Sequence, residues 1–260
     1  MLSNKTFIIG FLITSATFFS FCTLKHYPLN SVRKVVIDAG HGGKDPGTGN
    51  GKEKRYALDI ALKLGEKIKN NLKDVEVIYT RDSDVFIPLN ERAEIANKNK
   101  ADLFISIHCN AFTSANASGT ETYVMGLHKS EANLNLAKRE NNVILMEDNY
   151  KKSYKGFNPN SPLAHIMLAN YQSAFMNQSM DFASRVERQF IHHGNKSRGV
   201  KQAGFLVIWE TTMPSVLIET GYLSNPTDAR KLASESGRDN IAKAIYTAFN
   251  SYKSDVERNQ

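Results

Sequence analysis

Four residues able to bind a metal or move a proton lie on separate short segments of this 260-residue chain: His41 in VVIDAGHGG, Glu53 in GKEKRY, His108 in FISIHCNA and Glu219 in SVLIETGYLSN. Two neutral imidazoles and one carboxylate make a three-ligand shell for zinc, with the fourth tetrahedral position open and one carboxylate left over. That inventory is what metal-assisted amide hydrolysis requires.

Each residue has an ordinary role to be weighed against the chemical one. His41 follows the carboxyl end of the first expected strand in a glycine-rich loop, where open parallel sheets collect ligand-binding groups and glycines let backbone approach a ligand. Asp38, just upstream, is a candidate to orient an imidazole, or else a strand-terminal cap. His108 ends the run LFISI, so Ser106 and Asn110 should share its face. Asn110 is placed to orient that histidine or to bond substrate, or simply to make a turn. Glu53 sits between Lys52 and Lys54 just before the first expected helix, where a helix dipole alone would account for it. Its position in the loop after the first strand, however, can bring it to the same sheet edge as His41, whereas Glu66 falls deep in the helix. Glu219 interrupts an apolar run, and a buried carboxylate without a partner is costly. A nearby metal or substrate explains it, and desolvation would raise its pKa toward a range suited to accepting and returning a proton. His26, His128 and His165 lack comparable surroundings, and His192 and His193 stand near a helix end, where cationic residues are common.

Together these strings, from about residue 35 to the end of the chain, resemble the zinc-dependent N-acetylmuramoyl-L-alanine amidases, which cut the lactyl-to-alanine amide of peptidoglycan. The resemblance implies that His41, Glu53 and His108 hold one zinc per chain and that Glu219 is the catalytic acid and base. It implies peptidoglycan as substrate, in cell-wall remodelling or daughter-cell separation. In some cell-division members a helix covers the active site until an activator protein displaces it. The segment SEANLNLAKRENNVILMED, carrying Glu131, Glu140 and Glu147, is expected to be helical and near the cleft. Glu140 is the candidate autoinhibitory plug, with a solvated helix face as the plain alternative. A metal-dependent carbohydrate deacetylase or carboxypeptidase would use a similar shell, and a non-catalytic wall-binding module would have no use for Glu219.

The elements that must position these residues follow from hydrophobic pattern. VRKVVIDAG, VEVIYT and ADLFISIH are near-continuous apolar runs of strand length, which suggests strands covered on both faces. Residues 56–71 and 88–99 carry helical spacing between them, and the alternation predicts right-handed crossovers and parallel pairing. TETYVMG reads as a further strand, followed by a helical stretch over 130–191 broken by SYKGFNPNSP. GFLVIW and SVLIET read as strands, Asn225-Pro226 as an N-cap with proline in the first turn, and 237–252 as a closing amphipathic helix. The expected architecture is α/β: a single three-layer domain over 35–255, with a mostly parallel twisted sheet flanked by helices and a long helical insertion at about 128–195.

Composition agrees, with 41% hydrophobic and 23% charged residues, which is enough for one sizeable core and too mixed for disorder. The 33 basic against 26 acidic side chains give +7, a bias toward anionic surfaces such as the cell wall. Basic clusters interleaved with aromatics are missing, so nucleic acid is not an expected partner. Residues 1–24 hold Lys5 and then an uncharged apolar stretch, read as a signal peptide or N-terminal anchor, with 25–34 as a short linker. The expected location is therefore the periplasm or cell envelope, with membrane contact only through that segment. Cys22 is a candidate for lipid attachment, although the bulky Phe21 before it argues against this. Cys109 alone remains for the mature domain, so no disulfide forms within it; following His108 on a strand, it should point away from any metal and act as a small buried hydrophobe.

Overall fold

The computed structural model describes residues 31–170 and 174–258, so the expected leader, Cys22 and His26 lie outside the described residues. The chain runs β1 (Lys34–Ala39), α1 (Lys52–Asn71), β2 (Glu76–Tyr79), α2 (Leu89–Lys98), β3 (Leu103–Asn110) and β4 (Thr120–Met125). It then enters α3 (Glu131–Asn141), a 3-10 turn (Asn142–Met146), α4 (Tyr150–Ser153), α5 (Pro162–Ala169) and α6 (Met176–His192). It closes with β5 (Ser197–Ala203), α7 (Leu206–Trp209), β6 (Ser215–Tyr222), α8 (Pro226–Ala233) and α9 (Glu235–Arg258).

The six strands form one sheet in the order β2-β1-β3-β6-β4-β5. Every pairing is parallel except that of β4 with β6. Alternation along the strands divides the core into two layers. Val35, Ile37, Ile105 and Ile107 face α1, α6 and α9, whereas Val36, Phe104 and Leu217 face Leu89 of α2, Leu136 of α3 and Leu206 of α7. The α/β three-layer expectation thus describes the molecule. The helical stretch after β4 is not uniform: α6 buries Phe182, Val186 and Phe190 in the first layer and is the crossover between the parallel β4 and β5.

Two expectations at the far edge of the sheet are corrected. GFLVIW is not a strand, since Leu206–Trp209 is a turn of helix whose Leu206, Val207 and Ile208 fill the second layer. A four-residue apolar run satisfies either conformation, and here tertiary contact decides: Asn141 at the end of α3 accepts from the Leu206 N–H (2.9 Å) and donates to the Gly204 carbonyl (2.8 Å). The strand is instead SRGVKQA, a polar edge segment without the apolar alternation that marks a half-buried strand. Helix α1 also begins earlier than expected, at Lys52, which puts Glu53 inside its first turn. Asn225 caps α8 as expected, its side chain accepting from Thr227 and Asp228.

Candidate active site

The sheet register gathers chemistry on the second face. Asp38 on β1 pairs with Ser106 on β3; two residues on, His108 pairs with Glu219 on β6, which in turn pairs with Glu121 on β4. His41 arrives from the loop after β1 and Glu53 from the first turn of α1. Both need close backbone approach. A Cβ at Gly40 would lie 2.4 Å from the His108 ring, and one at Gly47, where φ is +61°, would lie 2.7 Å from a Glu53 oxygen.

His41 Nε2 lies 3.0 Å from Glu53 Oε1, and His108 Nδ1 lies 3.4 Å from that same oxygen. Glu140, from α3, completes the group with its Oε2 3.3 Å from each of these nitrogens. All four residues are buried. Yet His41 Nε2, His108 Nδ1 and Glu140 Oε2 have no hydrogen-bond partner. Tetrahedral zinc with bonds of about 2.0–2.1 Å has ligand-to-ligand edges of about 3.3 Å, and these four separations are compatible with donors that share one ion. The four donor atoms all lie within 4.8 Å of one another.

The electrostatics favour a cation there. Burial opposes charge on His41, but the Glu53 carboxylate, the Asp45 carboxylate accepting at Nδ1 and the nearby Glu140 carboxylate outweigh it and hold the ring well above the usual imidazole range. For His108, burial again opposes, and Glu140 and Glu53 lift the ring to about 9. A potential that draws protons onto two buried imidazoles draws a divalent ion to the point they face.

The supporting bonds differ from the sequence expectation. Asp38 does not bond an imidazole: it accepts from Thr80 (2.6 Å), Ser106 (2.6 Å) and Arg92 (3.0 Å). The side chain that bonds His41 Nδ1 is Asp45, at 2.8 Å, fixing which ring nitrogen faces Glu53. Asn110 likewise leaves the rings alone, its Oδ1 accepting from Arg139 at 3.0 Å. Glu147 bonds the N–H of Leu89 at the start of α2 (3.1 Å) and Tyr154, and Glu131 is exposed; of these three glutamates only Glu140 reaches the imidazoles. His165 is buried with Nε2 on the Pro159 carbonyl at 2.9 Å, an ordinary satisfied histidine. Cys109 is fully buried in the opposite layer against Thr220.

Two buried arginines, invisible as such in the sequence, hold the His41 loop. Arg81 donates to the carbonyls of Ala39 and Gly40, and Arg92 to those of Ala39 and His41 while paired with Asp38. Lysine in place of Arg92 would keep the charge but lose the planar fork that reaches several acceptors at once. Arg92→Lys is therefore expected to lower unfolding stability by about 2–4 kcal/mol, measured by urea denaturation, because charge-assisted bonds are worth about 1.5–3 kcal/mol each.

Glu219 stands beside this cluster with both carboxylate oxygens buried and unpartnered. Burial and the Glu140 carboxylate push its pKa well above the usual range, with His108 opposing. It is thus a proton-holding acid whose charged form becomes affordable only when positive charge arrives nearby.

Comparison with known proteins places these features in context. The family model described as Amidase_3, N-acetylmuramoyl-L-alanine amidase, matches residues 35–251. The amidase AmiA of Escherichia coli K12 is 33% identical over 226 residues, covering 85% of this chain and 76% of that protein. The chain spans only about half the length of the AmiC relatives it also matches, 53% and 52%. Among solved structures, an N-acetylmuramoyl-L-alanine amidase from Clostridium difficile 630 is 29% identical with a TM-score of 0.63, over 86% of this chain and 97% of that one. The CwlD amidase of Clostridioides difficile, solved in complex with the GerS lipoprotein, is 25% identical with a TM-score of 0.62, over 86% of this chain and 99% of that one.

Proposed function

The chain belongs to the N-acetylmuramoyl-L-alanine amidase family, and from that membership we propose that it releases stem peptides from peptidoglycan as a zinc enzyme of the cell envelope, in wall remodelling or daughter-cell separation. What supports the zinc reading is the set of two histidine and two glutamate donors, all buried and within 4.8 Å of one another, beside an unpartnered buried acid. His41, Glu53 and His108 would hold the ion. A zinc bound there supplies Lewis acidity, which acidifies water and polarises a carbonyl. The chain's own groups do the rest. Glu53 accepts the backbone N–H groups of Thr48 (2.7 Å) and Cys109 (3.0 Å), which locks its carboxylate toward the histidines. Glu219 takes the proton of the attacking water and returns it to the departing L-alanine amine. A binding module without catalysis would leave that acid's burial uncompensated, and release of acetate or D-alanine would mark the deacetylase or carboxypeptidase alternatives.

Because Glu140 adds a fourth donor to the group of His41, Glu53 and His108, α3 is proposed to act as an autoinhibitory cover that an activator protein displaces. The solved CwlD–GerS complex supports a partner-bound state for a protein of this fold. Export through residues 1–24 is part of the same proposal; among the described residues no helix is long and apolar enough to cross a membrane.

The test pairs metal analysis of the purified protein with mass spectrometry of digested peptidoglycan. One zinc per chain and release of stem peptides bearing a free L-alanine amine are expected. His108→Ala should lose both the metal and the activity, since two remaining protein ligands make a poor zinc shell. Retention of full zinc in His108→Ala would rule out the ligand set.

A further inference from the structure

A cavity of about 530 Å³ opens beside the imidazole and carboxylate cluster, between α3 and the β4–β5 edge of the sheet, and Arg139, Arg198 and Lys201 line it. The presence of two of these cations on one wall has a specific backbone cause. Residues three apart on a regular strand point to opposite faces. Between Thr120↔Ser197 and Thr122↔Val200, however, β5 carries one extra residue, and Gly199 in that bulge has a φ of +82°. The bulge resets the alternation, so Arg198 and Lys201 turn to the same face.

Both meet one buried acid. Glu121 accepts from Arg198 Nε at 2.5 Å, from Lys201, from Tyr222 OH at 2.9 Å and from Tyr123 OH at 2.7 Å. Two cations on one carboxylate leave a surplus positive charge, and each cation keeps N–H groups beyond those given to Glu121. Charged residues on an edge strand commonly deter aggregation by pointing to solvent. These instead fold inward onto a carboxylate that is 1% exposed, at the floor of a cavity.

Glu121 is the cross-strand neighbour of Glu219, so this floor lies about one strand spacing, 4.8 Å, from the proton-handling acid. An extended peptide advances about 3.3–3.6 Å per residue, so a group one or two residues beyond the scissile amide reaches it. In the peptidoglycan stem the residue after L-alanine is D-glutamate joined through its γ-carboxyl, which leaves an α-carboxylate free. We propose that Arg198 and Lys201, aimed by the Gly199 bulge and braced on Glu121, form a carboxylate-reading subsite that selects stem peptides with this acid unamidated. The proposal rests on the amidase reading above.

Calorimetry on the zinc-loaded protein with L-Ala-γ-D-Glu and with its α-amide tests it independently of turnover. The acid is expected to bind at least tenfold more tightly than the amide. Arg198→Gln and Lys201→Gln should each reduce acid binding by about tenfold, leaving metal content unchanged, and Lys201→Arg should retain the preference. Equal binding of acid and amide by the unaltered protein, no binding of either, or an undiminished preference in both glutamine variants would overturn the subsite. Digestion of free-acid and amidated peptidoglycan separates this outcome from the larger one. Equal cleavage of both overturns only the subsite, and release of no stem peptide from either overturns the amidase reading on which it rests.

Discussion

Glu219→Ala is expected to lower the rate of stem-peptide release by about 10²–10⁴-fold while the purified protein keeps its zinc, the range typical of losing a positioned general acid and base. The two readouts separate because Glu219 is not among the four donors that face one another; it stands on the neighbouring strand, paired in register with His108. Its carboxyl has no partner to lose, so removal breaks no hydrogen bond. Glu219→Gln keeps the side-chain volume and removes only the titration, and it should match the alanine variant in rate. Both variants should unfold within a few degrees of the parent, since a buried acid without a partner contributes little to stability and costs something to bury. Rates within twofold of the parent in the glutamine variant would show that proton transfer is handled elsewhere, and loss of zinc in either would make Glu219 a ligand.

How far the site was legible depends on what made each residue legible. His41, His108 and Glu219 stand at strand ends or interrupt apolar runs, where a polar group needs a reason, and the register then brings His108 and Glu219 side by side. Glu53 was readable by position but not by local structure: its helix begins behind a glycine without a side-chain cap, so the expected start fell too late. Asp45 lies within the DAGHGGKDPG string, four residues after His41, but a loop aspartate looks like turn chemistry until the loop's path is known. Arg81 and Arg92 were illegible for a stronger reason. A basic residue in a polar loop or amphipathic helix reads as solvated, and only tertiary structure shows that one carries its charge into the interior against Asp38 and both bond backbone carbonyls. The β5 edge shows the limit of pattern reading. Its residues are polar because one side meets solvent and the other meets Glu121, and its bulge defeats the period-two rule that would have identified it.

If α3 is the autoinhibitory cover proposed above, Glu140→Ala is expected to raise basal cleavage of peptidoglycan by about tenfold or more without activator, because it removes the carboxylate that lies 3.3 Å from both imidazoles. The helix is lightly anchored. Its buried residues are Asn133, Leu136, Ala137, Glu140 and Asn141, so a single large apolar side chain anchors it, and the rest of its attachment is polar. Arg139 ties it to the Ala111 carbonyl at 2.9 Å and to Asn110 at 3.0 Å, and its guanidinium also braces Glu140 Oε1 at 3.0 Å. Elements held this way open at lower free energy than those seated in an apolar core. If only about one molecule in ten to one in a hundred is open at rest, freeing the rest raises the rate by the inverse of that fraction. The opposite sign is equally readable. Were Glu140 a permanent ligand, its loss would lower both zinc occupancy and activity, and an unchanged rate with full zinc would mean that α3 covers nothing that the substrate needs. The three remaining donors, His41, Glu53 and His108, are the complement of a catalytic zinc shell with one position open, so zinc retention with faster turnover is the outcome that the spacing of those atoms leads one to expect.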